Sequence, residues 1–451
     1  MNDDFKRPVG EYNTRRTTFE TYRNYARGNH QLKYIDKDFR TSDGNEFKSL
    51  RENLCGTIVS SFVDRLKVSA WGSKENDAIA KSAFLTSALK ASWTEAFRCG
   101  HGFIIASRLP SGEIVPITQR ADQILVEADE LNPFELARAF RFWLDNEGYP
   151  RITVYDATAV TDYKASKAFE RKDNGGFAAE DFPTDGYMVE TPARAHGFDR
   201  VPIVQFRQSS ENAWDDGVSI LEDLIPLQDG LNQSLANMLV LSNSYARPFW
   251  YLLNYRPEGG TQSPRESARL LAEALGQATP NIPAAPVKDG SSFDRTKQRI
   301  FTTDSPGPFG QLEPPDISKL LDVQDRFALK MARVAGLPSY YLTQTQGDTP
   351  SGASLRILSF RMTSRVENFQ ADATRSLVRL GELFGMKDVA VEWVSAAPTD
   401  ETETLNSAVT KYKQLGYALS DAIAGLDEPD AEGIVERASA TAAPPRGGLF
   451  D

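Results

Sequence analysis

The chain has 451 residues, of which 40% are hydrophobic and 25% are charged, a composition typical of globular rather than disordered or fibrous proteins. That length allows about three domains. The 62 acidic residues outnumber the 51 basic residues, and the formal net charge of −11 disfavours tight nonspecific binding to nucleic acid, which depends on neutralising phosphates.

Targeting and cysteine signals are weak. The N-terminal stretch "MNDDFKRPVG" lacks the apolar region of a signal peptide, and no run approaches the ~18 apolar residues of a membrane span. We therefore expect neither secretion nor insertion into a membrane. Cys55 and Cys99 are too few for a disulfide framework, and both are expected to be buried free thiols.

The first hundred residues have mostly helical spacing. Phe19, Tyr22 and Tyr25 recur at helical intervals before Gly28, which predicts a helix over 11–28 with a glycine just after its C-terminus. A second helix is predicted from about Asn53, followed by a strand in "LKVSAWG". Residues 74–100 indicate one or two further helices.

From 100 to 210 the spacing changes to that of strands. The stretch "GFIIASRLPSGEIVPIT" predicts a β-hairpin, because Pro110-Ser111-Gly112 supplies a fixed φ and a permissive glycine. Further strands are predicted in "ELARAFRFWL", "RITVYDAT" and "RVPIVQF". This part is therefore a mostly β region behind a helical start.

A long helix is predicted after "WDDG", with Pro226 either kinking it or opening its main segment, and with Pro248 marking its end. The strand-like "FWYLLNY" follows. Residues 254–315 are rich in proline and glycine, which indicates a loop-dominated module with one helical island from Arg265 to Leu275.

Two more long helices are predicted near the C-terminal end. The first has Asp316 as N-cap, Gly336 and Pro338 as its stop, and an apolar stripe of Leu320, Val323, Phe327, Met331 and Val334. A turn, "GDTPSGASLR", precedes a helix of about thirty residues whose stripe begins at Leu355 and Leu358. A strand in "DVAVEWV", a helix from about Glu401 to Leu415 and a frayed tail complete the chain.

Signatures of catalysis are weak. The three histidines, His30, His101 and His196, have no partner at metal-ligand spacing, and no phosphate-loop, dinucleotide-binding or serine-hydrolase motif is present, so no cofactor is expected. One enzymatic alternative is a metal-dependent nuclease that uses Asp215, Asp216, Glu222 and Asp223. Such acidic residues also serve as turn and cap residues. A cytosolic scaffold built on long helices is a third hypothesis.

Several stretches in this order resemble the portal proteins of tailed double-stranded DNA bacteriophages of the long-tailed type. They are "YRNYARGNHQL" (22–32), "RENLCGTIVSSFVDRLKVSAWG" (51–72), "GVSILEDLIPLQDGLNQSLANML" (217–239) and "TPSGASLR" (349–356). The resemblance implies a non-enzymatic α+β ring subunit with a mixed α/β wing, long stem helices, a small clip module and a helical crown.

Carried over by position, the resemblance implies six regions. They are the wing (1–215), the first stem helix (216–250), the clip (251–313), the second stem helix (314–338), the tunnel loop (339–354), and the long wing/crown helix with the C-terminal crown region (355–451). The residues expected to face a DNA channel are Tyr340, Tyr341, Gln344, Gln346, Asp348 and Ser351. Residues alone also explain Ser351 as a helix cap.

The implied assembly is a dodecameric ring at the unique capsid vertex of the virion, formed in the host cytoplasm. Its implied role is to conduct double-stranded DNA during packaging and ejection and to connect head to tail. The implied partners are the terminase motor, the major capsid protein, the scaffold and the head-completion or adaptor proteins. No membrane partner is expected.

Overall fold

The computed structural model describes residues 3–32, 51–72, 83–172, 181–208, 212, 214, 216–246, 250–252, 273, 300–302, 309–311, 318–343, 352–397, 408–416, 418–419, 422 and 437. The chain forms two compact units. The first unit comprises Met1–Ala26, Gly56–Glu222 and Ala332–Asp451, and the second comprises Arg27–Cys55 and Asp223–Met331.

The α-helices lie where the hydrophobic spacing predicts them. They are α1 (Lys6–Arg27), α2 (Leu54–Val63), α3 (Ala83–Cys99), α4 (Ile225–Ala246), α5 (Ser318–Ala335) and α6 (Gly352–Leu383). Short 3₁₀ turns occupy Asp3–Phe5, Ala121–Gln123 and Ser339–Tyr341, and residues 408–413 are helical. The 32 residues of α6 span about 48 Å at 1.5 Å per residue. No helix in the described ranges has the length and apolarity needed to cross a membrane.

The strands are β1 (Val68–Trp71), β2 (His101–Arg108), β3 (Ile114–Gln119), β4 (Ile124–Ala128), β5 (Leu136–Leu144), β6 (Pro150–Tyr155), β7 (Ala159–Ala165), β8 (Tyr187–Ala195), β9 (Ile203–Arg207), β10 (Trp250–Leu252), β11 (Ile300–Thr302), β12 (Phe309–Gln311) and β13 (Val391–Trp393). Together with the helices they make the mixed α+β fold that the sequence predicts.

The sheets of the first unit are antiparallel. Strands β4 to β8 form a five-stranded sheet in sequence order, and a second sheet has the order β3-β2-β9. In the β2–β3 hairpin, Gly112 has a φ of +87°, which the tight turn requires and which glycine adopts without strain. Strand β1 pairs with β13, more than 300 residues later in the chain. Within the second unit, β10 pairs parallel to β11 and antiparallel to β12.

Helix α1 joins the two larger sheets of the first unit through separate apolar clusters. Its N-terminal half packs on the five-stranded sheet, where the rings of Tyr12 and Phe142 stack with centroids 4.4 Å apart. Further along, Phe19 packs with Phe103 and Ile203 of the three-stranded sheet. Helix α3 also packs on this sheet, and α6 packs against β9 and β13.

The two cysteines are buried free thiols, as the sequence predicts. Burial raises the pKa of Cys55 to about 12 and raises the pKa of Cys99 further. The thiolate is the reactive form of cysteine, and a raised pKa keeps both side chains in the neutral thiol form. Both therefore pack as small apolar groups.

Helix α4 of the second unit begins close to Pro226, so this proline opens the helix and does not kink it. The buried amide of Gln228 donates to the carbonyl of Glu52 (2.7 Å) and accepts from the backbone N–H of Leu54 (3.0 Å). The oxygen of Asn232 accepts from the N–H of Glu52 at 3.1 Å. These two side chains hold the segment of residues 51–53 before α2, and no local sequence signal identifies them.

The apolar stripe predicted on α5 is only partly buried. Met331 is buried, but Val323 and Val334 remain 38% and 37% exposed, and the buried positions around Met331 are alanines: Ala328, Ala332 and Ala335. Helical spacing identifies apolar positions but not which neighbours reach them. Pro248, the predicted cap Asp316 and the helical island from Arg265 to Leu275 lie outside the described residues.

Candidate functional site

The segment between α5 and α6 begins with a sharply ended helix. Gly336 has a φ of +78°, and its N–H donates to the carbonyl of Arg333, while the N–H of Leu337 donates to Ala332. This pattern is typical of a glycine-terminated helix. Pro338 follows in an extended conformation. The predicted helix stop at Gly336 and Pro338 is therefore confirmed.

Arginines of α6 neutralise the C-terminal end of α5. Arg365 donates to the carbonyl of Ala335 at 2.7 Å, and Arg361 donates to the carbonyl of Arg333 at 3.4 Å. Carbonyls at the end of a helix have no partner within the helix and carry its partial negative charge, so guanidinium donors stabilise that end. The start of the inter-helix loop is thereby fixed to α6.

The two tyrosines that follow are anchored by their hydroxyls. Tyr340 shares a hydrogen bond of 3.2 Å with the buried Ser359 of α6. Tyr341 accepts a hydrogen bond of 2.6 Å from Arg65, and the two tyrosine rings lie with centroids 5.0 Å apart. The structure brings both predicted residues together at the base of the loop.

Arg65 connects three distant parts of the first unit. It lies just after α2, donates to Tyr341 through Nη2, and donates to the carbonyl of Ala396 through Nη1 at 2.6 Å. The planar fork of an arginine suits two acceptors at once. The sequence analysis missed this residue because an arginine between a helix and a strand gives no local signal of so distant a contact.

We expect Arg65→Leu to lower the free energy of unfolding by about 1–3 kcal/mol, because the part-buried hydroxyl of Tyr341 and the carbonyl of Ala396 lose their donors. Urea unfolding followed by circular dichroism measures this loss. Tyr341→Phe, which removes only one acceptor, should cost less than Arg65→Leu. An equal or larger cost for Tyr341→Phe would contradict the assignment of Arg65 as the shared anchor.

The other residues predicted to face a channel cannot be placed. Gln344, Gln346, Asp348 and Ser351 lie outside the described residues. Contact of any of the six with DNA therefore stays a prediction.

The first turns of α6 carry large exposed apolar side chains. Ile357 and Phe360 are 78% and 74% exposed, and Leu358, predicted to lie in the apolar stripe, is 51% exposed. From Met362 onward the predicted stripe is buried, including Val366 and Phe369. Clustered exposed apolar groups mark surfaces that bind another molecule.

The exposed face of α5 carries charges of both signs. Its exposed charged residues are Asp322, Asp325, Arg326, Lys330 and Arg333, two acidic and three basic. The excess is a single positive charge, which is far from the cluster of basic residues that binds tightly to phosphates.

The acidic residues of the nuclease alternative do not form a metal site in the described part of the chain. Asp216 accepts a hydrogen bond of 2.7 Å from Arg15, and its other oxygen lies 3.5 Å from Nε2 of His101. Asp215 lies outside the described residues. Across the described ranges, no three His, Cys, Asp or Glu side chains are grouped so that they could hold a metal ion.

His101 is a buried base that remains neutral. Its pKa is lowered to about 4, chiefly by burial; the nearby Asp216 opposes this shift, and Arg15 and Arg207 add to it. Gln205 lies 2.9 Å from Nδ1, and the ring of Phe103 stacks on the imidazole. Histidine in the unfolded chain titrates near 6.5.

Acidification should therefore destabilise the first unit through His101. Between pH 6.5 and 4 the unfolded state binds a proton that the folded state excludes, so stability falls across this window by on the order of 3 kcal/mol and levels off below it. Urea unfolding at pH 7 and pH 4.5 measures the change. In His101→Gln the decrease between these two pH values should be smaller. An unchanged decrease would show that other groups cause it.

The family model described as "Phage portal protein, SPP1 Gp6-like" matches residues 93–418. No curated protein matches the sequence significantly.

Similar solved structures come from gene transfer agent (GTA) particles. The neck of the native particle, computed with C12 symmetry, is 14% identical with a TM-score of 0.46, covering 86% of this chain and 92% of that chain. The neck of the empty particle, computed with C6 symmetry, is 12% identical with a TM-score of 0.47, covering 88% and 96%. The virion of the native particle is 11% identical with a TM-score of 0.41, covering 84% and 88%.

Proposed function

The chain belongs to the SPP1 Gp6-like family of phage portal proteins, and from this premise we propose that twelve copies form a ring at one capsid vertex, with the genome passing through its centre. The observation that carries the proposal is the family match over residues 93–418, which includes strands β2 to β13 and helices α4, α5 and α6. A portal protein acts as the connector between head and tail.

A closed ring requires two different surfaces on each subunit, because each copy binds the next one head to tail. The exposed Ile357 and Phe360 at the start of α6 supply an apolar patch of the kind that such contacts bury. A neighbouring copy is the occupant that the ring would bring to this patch.

Passage of DNA through the ring is supported by the charges of the chain. A channel lined by lysines would hold the duplex, whereas a neutral or acidic channel lets it slide. The net charge of −11 favours the second case. Since screening limits electrostatic forces to about 8 Å at physiological salt, only residues that line the channel affect the duplex.

We assign the six regions as the resemblance implies: wing 1–215, first stem helix 216–250, clip 251–313, second stem helix 314–338, tunnel loop 339–354, and the wing/crown helix with the crown 355–451. The two compact units divide the chain differently, because Arg27–Cys55 belongs with Asp223–Met331. Within that second unit Gln228 and Asn232 bind the backbone of this segment.

The proposed site of action is the capsid portal vertex of the virion, with assembly in the host cytoplasm. Terminase would bind during packaging, and the capsid, scaffold and adaptor proteins would bind the ring from outside. The family is a structural one, and no residue group in the described ranges favours the nuclease alternative.

Electron microscopy of the purified full chain tests the proposal. We expect closed rings with a central channel and twelvefold symmetry. Phe360→Asp, on the exposed side of α6, should leave the subunit folded and reduce ring formation. The control is Asn368→Asp, which adds the same charge at another exposed position of α6 and should leave ring formation unchanged. A protein that stays monomeric over a wide range of salt and protein concentrations would contradict the ring.

A further inference from the structure

A cavity of about 310 Å³ lies within the first unit. Its walls are the turn that precedes β5 (residues 133–136), strand β9, Arg200 just before that strand, and the C-terminal half of α6. The volume lies at the lower end of the range of small-ligand sites. None of the features described above accounts for this cavity.

Charged side chains dominate the wall of the cavity. The wall includes four guanidinium groups (Arg200, Arg207, Arg375, Arg379) and three carboxylates (Glu135, Asp372, Glu382). Glu135 lies 3.1 Å from Arg379 and Glu382 lies 2.8 Å from Arg200, so two of the carboxylates are paired within the wall.

Arg379 anchors the base of the cavity. It is only 9% exposed and donates to the carbonyls of Phe134 (3.1 Å) and Val201 (3.4 Å) as well as to Glu135. Its buried Nε has no hydrogen-bond acceptor among the described residues. Burial lowers the pKa of this arginine, and a further negative charge nearby would favour its charged form.

A second guanidinium lies at the exposed side of the cavity. The Cζ of Arg375 is 4.2 Å from the centroid of the Phe134 ring, and both side chains are exposed. Stacking uses the face of the guanidinium plane and leaves its edge, which carries the N–H groups, available to an acceptor. Phe134, Leu136 and Val378 add apolar wall beside this edge.

We propose that this cavity binds a single carboxylate side chain from an acidic peptide segment of a partner protein. Arg375 offers a fork of N–H groups that suits a single carboxylate. A multivalent anion fits poorly, because Asp372 and Glu382 would repel it. A peptide also brings backbone N–H donors for those carboxylates and an apolar neighbour for Phe134. This site does not depend on ring formation.

Fluorescence anisotropy of the purified full chain tests the proposal. The probes are labelled eight-residue peptides with one Asp or Glu beside one apolar residue, compared with the same peptides carrying Asn or Gln. We expect the acidic set to contain peptides that bind at least tenfold more tightly than their amide counterparts, which corresponds to the loss of one charge-assisted pair.

Three variants separate this site from general electrostatics. Arg375→Gln should weaken binding of the selected peptide about tenfold. Asp372→Asn should strengthen that binding, because the substitution removes a negative charge from the wall of the cavity. Arg7→Gln makes the same charge change as Arg375→Gln on a side chain that is 75% exposed in α1, and it should leave binding unchanged.

Three results would overturn the proposal. They are equal binding of the acidic and amide peptides, equal weakening by Arg375→Gln and Arg7→Gln, and displacement of the peptide by inorganic phosphate at concentrations that match its own affinity. The last result would identify the cavity as a site for free anions.

Discussion

Replacing Arg23 by leucine is expected to lower the free energy of unfolding by about 3–5 kcal/mol, because it leaves two buried carboxylates without their shared partner. Arg23 of α1 donates to Glu95 through Nε (2.9 Å) and Nη2 (2.6 Å), and it also donates to Asp122. The side chains of all three are less than 10% exposed. Urea or thermal unfolding of the purified protein measures the loss.

A matched control uses the second arginine that binds Asp122. Arg120 makes two hydrogen bonds to this carboxylate, at 3.1 and 2.7 Å, but its side chain is 54% exposed. Since exposed ion pairs contribute about 0–1 kcal/mol, Arg120→Leu should cost far less than Arg23→Leu. A similar loss in the free energy of unfolding for both variants would mean that burial does not determine how much these ion pairs contribute to stability.

Replacing Gly217 by alanine is expected to cost about 2–3 kcal/mol, because its new methyl group would overlap the backbone of Gly100. The backbones of the two glycines are in close contact, so that a Cβ added at either position would overlap the carbonyl oxygen of the other. Here the segment after Asp216 binds the end of α3. The N–H of Ile220 donates to Phe97 (3.1 Å) and Ser219 donates to the carbonyl of Arg98 (2.6 Å).

Gly10→Ala serves as the control for Gly217→Ala. Gly10 lies inside α1, and a Cβ there would meet nothing within 4 Å. Alanine favours a helix over glycine by about 1 kcal/mol, so this variant should be neutral or more stable. If Gly217→Ala were as stable as the parent chain, the close approach of the two backbones would be wrong.

Gly217 also gives a physical reason for part of the resemblance to portal proteins. The stretch "GVSILEDLIPLQDGLNQSLANML" begins with this glycine, which the contact with Gly100 requires. Further along the same stretch, Gln228 and Asn232 hold the segment before α2, and Gly230 lets α4 lie close to the ring of Phe327. The residues of this motif therefore meet packing and hydrogen-bonding requirements of the fold.

The anchored base of the inter-helix loop has a consequence for the proposed channel. Tyr340 and Tyr341 use their hydroxyls within the subunit, so contact with DNA through these two residues would involve their rings or their backbone. The predicted residues between Thr343 and Gly352 are the better first targets for mutagenesis in a packaging assay. They follow directly on a base that Arg65, Arg361 and Arg365 hold in place.

Local patterns in the sequence specify the type and order of most helices and strands. Helical spacing gave α1, α2 and α6, alternation and turn chemistry gave the β2–β3 hairpin, and glycine followed by proline gave the end of α5. These signals are local, since a helix repeats within four residues and a turn depends on the φ preferences of a few. The four quoted sequence stretches, in their order along the chain, also indicate the portal family without knowledge of any tertiary contact.

Contacts between residues far apart in the chain depend on the three-dimensional fold and have no local sequence signal. The pairing of β1 with β13, the Arg23 cluster, the Arg65 anchor and the arginine-rich cavity each join residues far apart in the chain. The same holds for burial, because Leu358 and Val323 have helical spacing yet remain exposed. Periodicity reports which side of an element is apolar, but burial and charge pairing depend on the neighbours that folding brings to that side.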